Sequence, residues 1–236
     1  MTSPDGAVRD LDPFAIFDAE AARLDRFFGS LDESAWSAPS RCAGWSVRDV
    51  LGHLAGEELY NHACLDGDLT ELFARLQVAG ISGFNDFNEW CVRERRGVPV
   101  GEVLAEWRDA DGETRGRMRE LGRDGTLQTS AGPYPAGLQA FHYASEFATH
   151  ADDVGVPVGD DEADDRTRWR VQVGLFALAE SGAKAQVEKA AERIWVHADG
   201  EEHQLSYGDF VAATVGRLPD GHQIPAAIVR SLRCLA

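Results

Sequence analysis

At 236 residues the chain has room for one large domain, or a domain with a smaller appendage, around a buried core. Hydrophobic residues at 44% and charged residues at 27% are ordinary for a globular protein, but 40 acids against 23 bases leave a net charge of −17. The acids are spread along the whole chain, so the expected surface repels nucleic acid and anionic membrane, and both are excluded as partners.

In chain order, the polar start MTSPDGAVRDLDP lacks the basic stretch and apolar core of a signal peptide. Asp12-Pro13 predicts a helix start, an N-cap followed by proline at the first helical position. Phe14, Phe17, Ala21, Leu24, Phe27 and Leu31 then recur as a core-facing stripe. After a loop, Ser46 and Asp49 form a capping-box pattern that opens a second helix running to about Cys64. Val47, Val50, Leu51 and Leu54 face inward there, with His53 beside them. A shorter helix is predicted around Leu69–Val78, another over Asn85–Arg96, and a long one from Val98-Pro99 through Leu121. Thr129–Gly137 (TSAGPYPAG) reads as a loop, and Leu138 to about Val154 as the next helix. An acidic linker, Gly159–Asp165, precedes a helix near Arg166–Ala183. Ile194–Ala198 and Glu202–Leu205, joined by Asp199-Gly200, read as a β-hairpin, followed by helical stretches Tyr207–Leu218 and Ile224–Leu235. No apolar run approaches the roughly 18 residues of a membrane span. Cys42, Cys64, Cys91 and Cys234 form no CxxC pair and read as reduced thiols of a cytoplasmic protein.

The chemistry-bearing pattern is Glu146 and His150, four apart in GLQAFHYASEFATHADDVG, with the distant His53 in SVRDVLGHLAGEE. On a helix, residues four apart share a face with Cβ atoms about 5–6 Å apart. A carboxylate and an imidazole so placed can grip one metal ion, and a histidine from a second helix completes a three-ligand site with open positions. A Glu/His pair at this spacing also arises as a plain surface contact. Phe141, Ala144, Phe147 and Ala148 surround this one, however, and buried Glu and His need partners that a metal supplies.

The stretch Trp36–Glu58, WSAPSRCAGWSVRDVLGHLAGEE, resembles the N-terminal signature of the mycothiol-dependent maleylpyruvate isomerase family, a branch of the DinB-like bundle proteins. The Glu-x-x-x-His pair with acids after it, here Glu146, His150 and Asp152/Asp153, resembles that family's second signature. The resemblance implies a mainly α fold: a DinB-like four-helix bundle with a long crossover over residues 1–155 and a small C-terminal α+β extension over 156–236. It also implies one divalent ion, usually zinc, held and used catalytically through His53, Glu146 and His150. Mycothiol or a similar thiol would be cofactor or co-substrate, and a small electrophile the substrate, in a monomer or homodimer. If sulfur stays on the substrate the enzyme is an S-transferase; if it adds to a conjugated double bond and leaves after rotation, it is a cis–trans isomerase.

Other residues near the motifs are open. His142 shares the face of Glu146 and His150 and reads as a base, an extra ligand or a polar residue at the bundle edge. Asp152 or Asp153 would fix a ligand imidazole or simply be solvated. Glu57, four after His53, either reaches the site or, as the safer reading, is an exposed bundle position. Trp45 reads as core packing, and Cys42 as a structural thiol, although a cysteine near a helix N-terminus can have a lowered pKa. Arg93, Arg95 and Arg96 read as a carboxylate clamp or a solvated helix end. In the tail, Arg217, Arg230 and Arg233 are the possible anion contacts. Three competing readings remain: a hemerythrin-like di-iron site built on His53/Glu57 and His142/Glu146, with His62 as the remaining bundle histidine; a metal enzyme of thiol-independent chemistry; and a non-enzymatic, metal-stabilised binding bundle.

Overall fold

The computed structural model describes residues 4–235; the first three residues of the polar N-terminal stretch, and Ala236 at the end of the tail, lie outside the described residues. The chain divides into two compact units, one spanning Pro13–Val156 and the other formed from Pro157 onward together with the stretch before Pro13.

The first unit is the expected helical bundle. Its four main helices are α1 (Pro13–Ser30), α2 (Val47–Asp66), α5 (Val100–Leu121) and α6 (Ala136–Asp153). The long connection between α2 and α5 carries α3 (Leu69–Val78) and α4 (Gly83–Arg95). Helix α1 packs chiefly on α6, and α2 on α5 and α4. Aromatic rings knit the bundle interior: Phe17 meets Phe147 edge-on at 5.1 Å, and Trp107 lies 5.8 Å from Phe28 and 5.9 Å from Phe147. The apolar stripe of α1 runs through Phe17, Ala21, Leu24 and Phe28; Phe27, the expected member, is only half-buried. A 3.6-residue period cannot distinguish these neighbours, and the packing against Trp107 and Trp36 selects Phe28.

Local chemistry sets the ends of α2. The Ser46 hydroxyl accepts from the Asp49 amide at 3.2 Å while the Asp49 carboxylate accepts from the Ser46 amide at 3.0 Å, so the capping box forms with the shorter acid. Gly67 closes the helix in the left-handed region, at φ 74°. Midway along, α2 approaches α4 so closely that a Cβ on Gly56 would sit 2.3 Å from the Cβ of Cys91.

Two stretches differ from the sequence expectation. Thr129–Gly137 is not a plain loop: β1 (Thr126–Thr129) and β2 (Gly132–Pro135) form an antiparallel ribbon that leads directly into α6. Proline is tolerated there because a two-stranded ribbon has free edges that need no amide donor. The acidic stretch is not a linker either. Helix α7 (Asp160–Glu180) begins inside it, and Asp160, Asp161 and Glu162 occupy the first turn, where carboxylates offset the helix dipole.

In the second unit α7 accompanies a three-stranded antiparallel sheet of β3 (Gln186–Ala190), β4 (Arg193–Ala198) and β5 (Glu201–Ser206), in that order. Helices α8 (Tyr207–Thr214) and α9 (Ala226–Leu232) complete it, both shorter than the sequence suggested. The β4–β5 hairpin turns at Asp199 and Gly200 with φ of 51° and 83°, the positive pair that an Asp-Gly turn of type I′ requires. Val171, Leu178, Ile194, Val196, Leu205, Phe210, Ile228 and Leu232 form its core. Among the described residues no helix is long and apolar enough to cross a membrane.

Candidate metal centre

The three side chains singled out in the sequence, Glu146 and His150 by spacing and His53 by its signature, converge. His53 comes from the middle of α2, and Glu146 and His150 lie one turn apart on α6. His53 Nε2 lies 3.2 Å from Glu146 Oε1, and His150 Nε2 lies 3.8 Å from the same oxygen. The three potential ligand atoms fall within 4.8 Å of one another. The imidazoles are buried, with 2% and 10% of their side chains exposed, while Glu146 is 30% exposed, so the carboxylate marks the open side.

Each ring is held from behind. His150 Nδ1 faces Asp153 Oδ2 at 3.2 Å, and Cys42 Sγ lies 3.2 Å from that oxygen and 3.8 Å from Nδ1. Cys42 is placed there by the loop before α2, which the Arg41 amide ties to the Asp153 carbonyl at 2.9 Å. The His53 ring packs against Trp45, with centroids 5.2 Å apart, and against His150 at 4.9 Å. Trp45 Nε1 donates to Glu89 Oε1 at 2.8 Å, which anchors the indole as a wall of the site. His53 Nδ1 is buried without a hydrogen-bond partner among the described residues.

The charges follow from burial and pairing. Burial lowers the proton affinity of His53, an effect the Glu146 hydrogen bond only partly offsets, so the ring is neutral. Burial also opposes charge on His150, but the hydrogen bond to Asp153, then Cys42 and Glu146, outweigh it and lift its pKa to about 9. Glu57 lies one turn after His53, with Oε2 3.8 Å from His53 Nε2. Burial, and then the charge of neighbouring Glu146, raise Glu57 well above the carboxylate range. Glu146 keeps the charge: burial opposes it, but hydrogen bonds from His53 and Glu57 hold it well below the usual range. The site therefore brings together a carboxylate, a carboxylic acid, a neutral imidazole and an imidazolium.

Several sequence readings are corrected. Glu57 is not an exposed bundle position, Trp45 is a half-buried wall rather than core packing, and Cys42 touches the site instead of serving only as a structural thiol. Asp153, not Asp152, is the acid that meets His150. His142 turns to Tyr134 on β2, 3.4 Å from its hydroxyl, and His62 to the Ala110 carbonyl at 3.1 Å. Neither belongs to a metal-capable group among the described residues, so the two-iron arrangement does not assemble. Arg95 is forked onto Glu106, and Arg96 meets Asp49 at 2.9 Å, so these two pair with structural carboxylates rather than forming a clamp.

Comparison with known proteins bears on the fold and the family. Two uncharacterized proteins from two strains of Mycobacterium tuberculosis are 29% identical over 112 residues, 47% of this chain and 41% of theirs, so the match spans less than half of each relative. The fold is similar to the crystal structure of a mycothiol-dependent maleylpyruvate isomerase, with a TM-score of 0.64, 14% identity, and coverage of 91% of this chain and 94% of that one. A histidine-to-alanine variant of that isomerase superposes equally well, with a TM-score of 0.63 at 12% identity over the same coverage. Residues 17–155 match the mycothiol maleylpyruvate isomerase N-terminal domain model, and the chain belongs to that family.

Proposed function

We propose that His53 Nε2, Glu146 Oε1 and His150 Nε2 hold one divalent ion of the zinc type, and that the chain catalyses thiol-dependent chemistry on a small electrophile, as an S-transferase or a cis–trans isomerase. The residues fit the ion. Two imidazole nitrogens and one carboxylate oxygen are a borderline donor set suited to zinc, and three protein ligands leave a position for a reactant. The ligand atoms already sit within 4.8 Å of one another. Asp153 behind His150 is the outer partner that metal-ligating imidazoles commonly have. When bound, such an ion acts as a Lewis acid and favours the ionised form of a thiol entering the site.

The chain's own residues do the rest. Asp153 holds the His150 Nδ1 proton, so Nε2 is the nitrogen that would meet the ion, giving up its own proton as it does. Trp45 and the buried imidazoles exclude water from the inner side, which strengthens every charge interaction there. Glu57 Oε2, 3.8 Å from His53 Nε2, is placed to contact a reactant that enters beside the ligand atoms. The printed name of the structural neighbour suggests mycothiol as the thiol and maleylpyruvate as a first substrate to try. The acid-rich composition suits small-molecule partners rather than nucleic acid.

The observation that carries this reading is the convergence of one nitrogen from α2 with a nitrogen and an oxygen from α6. The test is to incubate zinc-loaded protein with mycothiol and a panel of electrophiles that includes maleylpyruvate. Thiol-dependent turnover that His53→Ala abolishes is the expected result. Turnover that is indifferent to added thiol would replace this reading with a thiol-independent reaction.

A further inference from the structure

We propose that the second unit carries a separate binding site for a small, multiply charged organic anion bearing phosphate or carboxylate groups. A pocket of about 370 Å³ opens where three segments meet: the connection from α7 to β3, the β4–β5 turn, and one face of α9. Ala183, Ala185, Ala198 and Ala227 line it with small side chains, and Lys184, Arg230 and Arg233 supply three positive charges against the one carboxylate of Asp199. In a chain of net charge −17 that is a local inversion of sign.

The state of these cations is the second observation. In the bundle, Arg95, Arg96, Arg108 and Arg115 each meet a carboxylate. Lys184, Arg230 and Arg233 are exposed and, among the described residues, none has an ion-pair or hydrogen-bond partner. Like charges gathered without counter-ions repel one another, and an anion placed between them removes that cost. The serines do not compete for the role: Ser181 and Ser231 donate their hydroxyl protons to the carbonyls of Leu178 and Ile228, at 3.0 and 2.8 Å. Recognition therefore falls to one ammonium and two guanidinium groups, whose planar forks match phosphate and carboxylate oxygens. The volume sets the size. Small-molecule sites run from about 300 to 1,000 Å³, so a bare phosphate ion underfills the pocket and an organic body would rest against the alanines.

Calorimetric titration of the full chain at fixed ionic strength tests this, with glycerol 2-phosphate as the phosphate probe and tricarballylate as the carboxylate probe. A divalent ion in the bundle would also attract anions, so the deciding comparison is between the wild type and the variants Lys184→Ala and Arg230→Ala. Both substitutions fall on exposed side chains, and Lys184 lies outside any helix or strand. Saturable binding of either probe, weakened about tenfold or more in both variants, supports the site, and the tighter probe assigns the anionic group. Absence of saturable binding by either probe, or equal affinity in wild type and variants, overturns it.

Discussion

Asp153 Oδ2 lies 3.2 Å from His150 Nδ1, one turn further along the same helix, and this contact aims the other ring nitrogen at Glu146. The relationship makes Asp153 part of the centre without its touching the space between the three ligand atoms. Asp153→Asn should keep the bundle folded yet weaken zinc binding by about 10–100-fold, the usual effect of losing such an outer partner. Competition against a chromogenic chelator measures it. Wild-type affinity in the variant would mean that packing alone orients His150.

Gly56 sets helix propensity against close packing. Glycine to alanine in a helix interior favours the helix by about 1 kcal/mol. Here the added methyl would lie 2.3 Å from Cys91 Cβ, which is fixed to the α4 backbone and cannot swing away, and 2.6 Å from its sulfur. Overpacking of this kind costs about 1–3 kcal/mol. Gly56→Ala should therefore lower the denaturation midpoint of the bundle, followed by helical circular dichroism in urea. A raised midpoint would show that α2 and α4 separate easily.

Glu58 gives the bundle a further pH dependence. It is buried, and its Oε2 accepts from the Thr114 hydroxyl at 2.5 Å. Burial, then the nearby Asp111 charge, raise its pKa to about 8. A raised folded-state pKa means that the folded chain binds the extra proton. The associated stability is complete below the unfolded value of about 4.5 and is lost as pH rises through about 8. Glu58→Gln removes this contribution to the slope while keeping an acceptor for Thr114. Between pH 5 and pH 8 the wild type should lose about 1–3 kcal/mol more stability than the variant, a cautious fraction of the 1.36 kcal/mol per pKa unit. Parallel urea curves at the two pH values would show that Glu58 is not protonated in the fold.

His53, Glu146 and His150 were legible in the sequence because the helical period puts Glu146 and His150 on one face and the Trp36–Glu58 signature marks His53. Cys42 and Trp45 were not, because both lie in the loop before α2, where no period predicts direction; a hydrogen bond from Arg41 to Asp153 and an indole contact to Glu89 place them. Glu57 is ambiguous in the sequence, between reaching the site and an exposed position, because its place on α2 alone does not reveal the α6 carboxylate beside it. Asp153 and Asp152 are adjacent acids, and only the exact helix phase decides which reaches His150. The ribbon before α6 was hidden by its prolines and glycines, and β3 by a sequence, QVEKA, with weak apolar alternation. The α7 start was hidden because acids that suit a helix N-terminus also suit a solvated linker.

The most direct test of the account is metal content per chain, measured by elemental analysis of protein purified without an affinity-metal column, for the wild type and for His150→Ala. The account predicts about one zinc-type ion per wild-type chain and almost none in the variant, with helical circular dichroism retained in both. Stoichiometric metal in the variant, or none in wild-type protein after incubation with zinc, would contradict the claim that His53, Glu146 and His150 form the centre.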